Sequence, residues 1–585
     1  MTFAKLLDQV GGMGRFQVIN VILLTFPIVF LASHNLLQNF TAAIPDHRCR
    51  DPANGMCNTN ATESVECKDF LRASITTDGN WTLRKCRRFI TTQWPSLNSN
   101  STGPQDREKG TEACLDGWIY DTTVFTSTIV TEWDLVCDSR TLKQMAQSLY
   151  MAGVLVGAIV FGGLSDKFGR KALLIWSCLQ MAISGSCAAF APSFTAYCIF
   201  RFLSGMAISG VGLNCVSLSV EWTPMQSRAT VSMATGYGYS FGQFVLAGMA
   251  FTIRDWRWLQ LAVSFPYLAF FLYGWWFIES ARWHATSGKL EQALRELQKV
   301  ARINGQREQG EKLSLEVLAD NLQKEAASAK LRFTVADLVR TPVLRRLTCC
   351  LCFVWFSTSF AYYGLAMDLQ NFGVSIYLIQ VIFGAVDIPA KLIAYLVICY
   401  FGRRITQALS LILAGFSIVA NIFVSQDMQI LQTIFAVLGK GCLAASFNCV
   451  FLYTGELYPT VIRQTGMGFG NTMARIGGIV APLVRMTSEY SPSLPLVIYG
   501  AAPIVSGIAA CFLPETLNVP LPDTIEDVES QNLKQHKADE NCKDKVFSIQ
   551  DGVFLDMRMF TDSQPIRSME KRDAPAVAEE ANVPS

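Results

Sequence analysis

Apolar runs of about twenty residues recur along the chain, separated by short polar stretches. A run of that length is what a helix needs to cross the ~30 Å hydrocarbon core of a bilayer. The pattern predicts twelve such spans, at roughly 16–38, 143–163, 172–191, 195–219, 230–251, 258–278, 347–367, 374–400, 405–425, 429–454, 465–486 and 493–513. Three polar segments interrupt the series. Residues 39–142 form a long loop after the first span. Residues 279–346 carry helical patterning, as in Leu290–Val300 and again in Leu313–Ala329, and read as surface helices linking two groups of six spans. From about residue 520 the chain is polar without apolar periodicity, which is expected of a disordered tail. The expected organisation is therefore 1–278, a linker 279–346, 347–519 and a tail 520–585, an all-α membrane protein in two six-helix halves.

Charge orients this arrangement. The short loop Asp166-Lys-Phe-Gly-Arg-Lys171 and the 279–346 segment are rich in Lys and Arg, which places them in the cytosol with both termini. Residues 39–142 are then outside. That loop holds the sequons at Asn39, Asn60, Asn80 and Asn100, and six cysteines, Cys49, Cys57, Cys67, Cys86, Cys114 and Cys137. Sequons and an even cysteine cluster in one loop suit an oxidising compartment, with up to three disulfides whose pairing the sequence leaves open. Composition agrees: 51% of the 585 residues are hydrophobic and 16% charged, with a net charge of +2. Nothing resembles a basic nucleic-acid-binding domain, a metal-ligand spacing or a nucleotide motif.

Three motifs occur twice at a near-constant offset. Gly169-Arg170-Lys171 recurs as Gly402-Arg403-Arg404, 233 residues on. Glu221…Pro224…Arg228 recurs as Glu456…Pro459…Arg463, 235 on, and Glu279-Ser280 recurs as Glu515-Thr516, 236 on. Each copy closes an apolar span, so the chain is internally duplicated, the build of secondary transporters. Asp166, Arg170, Lys171, Glu221, Arg228, Arg403, Glu456 and Arg463 fall at cytosolic helix ends, where ion pairs can exist in one conformer and break in another. Cys399 replaces the acid in the second copy. We assign these eight residues to gating.

A charge at the bilayer centre is costly and usually functional. Arg475 lies near mid-depth of the eleventh span with no acid nearby in sequence, and a guanidinium suits a carboxylate. Lys391 lies mid-depth in the eighth span, and Asp387 at i−4 is spaced to pair with it. Lys440 and Arg201 are also intramembrane and are left unassigned. Trp355, Ser359 and Tyr362 share one face of the seventh span beside Phe356 and Tyr363; Phe447 and Phe451 are one turn apart on the tenth; Tyr237 and Tyr239 lie on the fifth. One or two cations among aromatics would favour bulky organic anions.

Asn35-Leu-Leu-Gln-Asn-Phe-Thr-Ala-Ala43, Asp116-Gly-Trp-Ile-Tyr-Asp121, Ser127–Cys137, the 162–171 loop, Glu279-Ser-Ala-Arg-Trp283, Phe360-Ala-Tyr-Tyr-Gly-Leu365 and Thr454-Gly-Glu-Leu-Tyr-Pro459 together resemble the organic anion transporters of the major facilitator superfamily. The resemblance spans residues 1 to about 530 and is nearest to the kidney-type para-aminohippurate/dicarboxylate exchangers. It implies uptake of organic anions across the plasma membrane, basolateral in epithelia, against an internal dicarboxylate such as 2-oxoglutarate, with chloride as a candidate accessory ion and no resident cofactor. It implies binding residues at Asn35, Tyr239, Trp355, Tyr362, Tyr363, Asp387, Lys391, Phe447, Phe451 and Arg475. Gly212 and Asn471 stand where the para-aminohippurate carriers have serines, and Cys57 and Cys67 are additional to the usual pattern. The alternatives are an organic cation or zwitterion carrier, against which Arg475 argues because this family's cation carriers have an acid at that position, and a non-transporting receptor-like protein.

Overall fold

The structure, a computed structural model, describes residues 3–50, 75–77, 83–89, 111–316, 318–319, 335–372, 374–425, 427–522 and 524–530. Its helical spans are α1 (Arg15–Leu36), α2 (Arg140–Phe168), α3 (Arg170–Ala189), α4 (Phe194–Glu221), α5 (Arg228–Thr252), α6, α7 (Pro342–Ala366), α8 (Ile376–Phe401), α9 (Arg403–Ala420), α10 (Gln429–Leu457), α11 (Arg463–Arg485) and α12 (Leu494–Ala510). The sixth runs as two pieces, Trp256–Ser264 and Pro266–Gly274, because Pro266 cannot donate into the preceding turn. Among the described residues, eight of the helices are by length and composition able to cross a membrane alone. α5 and α11, rich in Gly, Ser and Thr, and the shorter α12 rely on their neighbours.

Packing repeats with the sequence. Within the first half α2 packs on α4, α3 on α4 and on α6, and α1 on α5; within the second, α8 packs on α10, α9 on α10 and on α12, and α7 on α11. Adding six to each helix number turns one set into the other. The halves meet where α2 crosses α11 and α5 crosses α8, again a symmetric pair. Small residues allow the closest approaches: a Cβ at Gly153 or Gly157 of α2 would collide with α4 backbone carbonyls.

Many of the hydrogen bonds between the halves lie at the end that carries the 39–142 loop. Asn39 Nδ2 donates to the Ala366 carbonyl at 2.9 Å, the Ile44 N–H donates to Gln370 at 3.0 Å, and Arg140 pairs with Glu489 at 2.9 Å. Phe40 stacks on Tyr377 at 5.6 Å. A pocket of about 170 Å³ remains in this seam, lined by Arg140, Lys143, Asp368, Arg485 and Glu489. At the opposite end the Gly-Arg loops make their ion pairs inside their own halves.

The outer loop is stapled. β1 (His47–Cys49) pairs antiparallel with β5 (Trp118–Tyr120); β2 (Ile75–Thr77), β3 (Leu83–Phe89) and β4 (Thr111–Ala113) form a three-stranded sheet. Disulfides join Cys49 to Cys114 and Cys86 to Cys137. Cys57, Cys67, Asn60, Asn80 and Asn100 lie outside the described residues. Asn39 corrects the sequence reading: its side chain is buried and its amide is engaged by Ala366, so no glycan can be carried there in this fold.

In the linker, the helix Leu290–Ile303 buries Ala293, Leu297, Val300 and Ala301 against Leu6, Leu7 and Val10 of the N-terminal segment. Asn304 then clamps the entry to α1. Its Oδ1 accepts the Phe16 N–H at 2.9 Å, and its Nδ2 donates to the Val10 carbonyl at 3.1 Å and to Gln17 at 2.9 Å. The helical stretch expected over 313–329 lies mostly outside the described residues. Pro522 still belongs to the second half, accepting the Thr460 N–H at 3.1 Å, two residues past the expected boundary at 520.

Candidate functional site: two charged clasps and the deep charges between the halves

The duplicated motifs fold into two copies of one clasp. In the first, Gly169 turns the chain between α2 and α3 with φ +104°, a conformation open to glycine. α3 therefore starts at Arg170 with unsatisfied N–H groups, and Glu279, just after α6, supplies the acceptor. Its Oε1 takes the Arg170 N–H at 3.0 Å and the Lys171 N–H at 3.1 Å, an anion on a helix N-terminus. A Cβ at residue 169 would strike that carboxylate. Burial pushes the Glu279 carboxyl above its ordinary range, opposed by the N–H groups of Ser280, Lys171 and Arg170. The Arg170 guanidinium joins Asp166 at 2.9 Å, Glu221 at 3.3 Å and the Ser165 carbonyl at 2.8 Å.

The second clasp repeats this geometry. Gly402 has φ +89°, and Glu515 accepts the N–H groups of Arg403 at 2.8 Å and Arg404 at 3.0 Å. Arg403 meets Glu456 fork to fork, at 2.9 Å twice. Arg228 and Arg463 do not pair with the acids of their own motifs by salt bridge. Each guanidinium donates to the carbonyl five residues before it, Thr223 and Tyr458, both at 3.2 Å, closing the turn after the proline. The anchoring roles of Glu279 and Glu515 were visible only as a third repeated motif, which sequence reasoning left without a chemical role.

The deep charges lie between the halves, and one pairing differs from the sequence reading. Asp387 does not pair with Lys391. It binds Lys440 of α10 at 3.0 and 3.2 Å, both side chains fully buried, and accepts Gln243 of α5 at 2.7 Å. Pro389, between Asp387 and Lys391 in α8, interrupts the local hydrogen-bond ladder, and α10 offers a nearer cation. Lys391 instead donates to the Gly236 carbonyl at 2.8 Å and to Ser240 at 2.9 Å, so α8 is tied to α5 of the other half. Lys440 also sits 3.9 Å above the Tyr362 ring.

Arg475 differs from these. It is partly exposed, and among the described residues it has no hydrogen bond and no ion pair. Its charge reaches Tyr150 and Tyr363. Tyr362 is edge-on to Tyr363 at 5.5 Å and to Phe447 at 5.4 Å. Tyr239 lies beside Asn35 and Tyr363, and Asn35 accepts the Tyr150 hydroxyl at 2.8 Å. Phe451 is exposed, its ring 4.5 Å from Trp355. Trp355 itself is fully buried, its indole N–H on Thr454 at 3.0 Å, so it supports Phe451 and presents no surface of its own. Gln243, which sequence reasoning passed over, is the group that joins Asp387 to the first half.

Two internally duplicated helical halves that meet through a symmetric pair of helix contacts are the architecture of the major facilitator superfamily. Comparisons agree. The sugar (and other) transporter family matches residues 95–527. The fold resembles the inward open xylose transporter XylE of E. coli, with a TM-score of 0.53 at 17% identity over 67% of this chain and 90% of that one. Solute carrier family 22 member 6-B of Xenopus laevis is 58% identical over 93% of this chain and 97% of its own length. Solute carrier family 22 member 6 of Oryctolagus cuniculus is 58% identical over 91% and 95%. Solute carrier family 22 member 20 of Mus musculus is 52% identical over 94% and 98%. The chain belongs to solute carrier family 22, the family that holds the organic anion transporters its motifs resemble; it is a multi-pass membrane transporter and not an enzyme.

Proposed function

We propose that this protein carries organic anions across the plasma membrane, basolateral in epithelia, in exchange for an intracellular dicarboxylate such as 2-oxoglutarate, by alternating access. The observation that carries the reading is Arg475. Lys440 is neutralised by Asp387, and Lys391 is engaged by two oxygens of α5, whereas Arg475 offers an open guanidinium beside Tyr150 and Tyr363. A planar fork beside aromatic faces matches an aryl carboxylate such as para-aminohippurate. The clasps and both termini face the cytosol in this reading, and the disulfide-bonded loop with Asn60, Asn80 and Asn100 faces outward. The halves are stitched at the outer end, so in this reading the described state is closed to the outside.

The test is uptake of labelled para-aminohippurate into cells expressing the chain, with and without preloaded 2-oxoglutarate. Preloading is expected to raise the initial rate severalfold. Uptake without stimulation would remove exchange and leave anion transport; no uptake by surface-expressed protein would remove both.

A further inference from the structure

The pocket in the outer seam is chemically incomplete. Its lining sets three cations, drawn from both halves, against two acids. Arg140 is paired with Glu489 at 2.9 Å, and Arg485 with Asp368 at 2.7 Å. Lys143, one turn into α2, is the cation left over. Among the described residues it makes no salt bridge. Asp368 attracts it and Arg485 repels it across the seam, so the acid within reach is one already paired with another cation.

A second shortage lies beside it. Gln38 and Gln147 line the same pocket and are 4% and 2% exposed. Their amide nitrogens are engaged, Gln38 donating to the Lys143 carbonyl at 2.6 Å and Gln147 to the Asn35 carbonyl at 3.4 Å. Both amide oxygens are buried without a hydrogen bond, a condition that native structures rarely leave unresolved. Lys143 and Gln147 are four residues apart on α2 and therefore share a face. The pocket thus lacks a negative group and an N–H donor. Its volume of about 170 Å³ is below the ~300 Å³ at which drug-sized sites begin, so what fits is small.

We propose that this pocket binds a small carboxylate that carries an N–H donor, the chemistry of an N-acylated amino acid. The carboxylate lies between Lys143 of the first half and Arg485 of the second, and the N–H serves the glutamine oxygens. The site is separate from Arg475, since Arg485 stands ten residues further along α11, about 15 Å. Both halves line it, so the ligand is held while the seam is shut and favours that state over one parted there. On the outward placement proposed above, such a carboxylate outside the cell slows exchange without occupying the transport site.

The experiment is binding of N-acetylglycine to purified full-length Arg475→Met, in which the deep cation is gone. Equilibrium dialysis should give one molecule per chain, saturably, with the unfolding midpoint raised by about 2–4 °C. Adding Lys143→Met should abolish both, and it orphans no acid because Asp368 keeps Arg485. Acetoxyacetate, with oxygen in place of the N–H, should bind roughly two- to tenfold more weakly. No binding to Arg475→Met overturns the proposal, as does binding that survives Lys143→Met, and equal affinity for acetoxyacetate overturns the ligand class. Should the Lys143→Met protein not fold, Gln147→Leu decides: weakened binding sustains the site and unchanged binding refutes it. In cells, external N-acetylglycine should lower the maximal rate of para-aminohippurate uptake by wild type and not by Lys143→Met; an equal effect on both refutes the inhibitory role. Failure of the preloading test would remove exchange and leave the dialysis result standing.

Discussion

Replacing Arg475 separates a binding cation from a structural one. Arg475 has no partner among the described side chains, so its removal orphans no acid. Arg475→Ala should therefore reach the cell surface at near wild-type level. What it loses is the bidentate, charge-assisted contact to substrate, about 1.5–3 kcal/mol, roughly ten- to a hundredfold in apparent affinity. Arg475→Lys keeps the charge without the planar fork and should fall between. Arg475→Asp places a negative charge against the substrate and should abolish dicarboxylate exchange. The assay is concentration-dependent uptake of labelled glutarate and para-aminohippurate, normalised to surface biotinylation. Intracellular retention of all three variants would mean that Arg475 is a buried structural ion after all. Normal exchange by surface-expressed Arg475→Ala would refute the binding role outright.

Lys440→Met should show the opposite pattern: it leaves the buried Asp387 carboxylate without its cation, so a loss of about 3–5 kcal/mol and poor surface delivery are expected, read by biotinylation and by thermal unfolding of purified protein. Gly402→Ala combines a left-handed backbone position with a Cβ 2.6 Å from the Glu515 carboxylate; maximal uptake rate should fall while half-saturation stays, and a pure affinity loss would contradict a gating role for the clasp. The same split between rate and affinity is expected of Arg170→Ala, and a weaker one of Asp166→Asn, whose carboxylate is 77% exposed and adds little stability. Asn304→Ala removes two hydrogen bonds to the start of α1 and one to Val10 before it, a loss of roughly 1.5–4 kcal/mol that a lowered unfolding temperature would register.

What could be read in advance follows from where each interaction is encoded. The spans follow from run length, and the duplication from three motif pairs, because a clasp needs glycine, arginine and glutamate at fixed helix ends. Arg475 stood out since no acid was near it in sequence, and among the described residues no side chain pairs with it. The Asp387 pairing was misjudged because i,i+4 spacing ignores what neighbouring helices offer. Lys440, 53 residues away on α10, takes the carboxylate instead. The Asn39 sequon carried no sign of the Ala366 carbonyl that buries it, since that contact joins residues 327 positions apart. Asn304 was invisible for the same reason: one polar side chain in a charged linker gives no hint that it clamps three groups near the N-terminus.

The clamp has a mechanical consequence. The helix Leu290–Ile303 shares its buried face with Leu6, Leu7 and Val10, and Leu318 still belongs to that cluster. Leu338, by contrast, is held by Thr348 of α7 through its carbonyl at 2.9 Å. The covalent bridge between the halves is thus not shared evenly. Among the described residues, Leu290–Ile303 and Leu318 ride as ballast on the first half, while Leu338 is held by the second. A spectroscopic label on the exposed side of Leu290–Ile303 would therefore travel with α1 and one placed at Pro342 with α7.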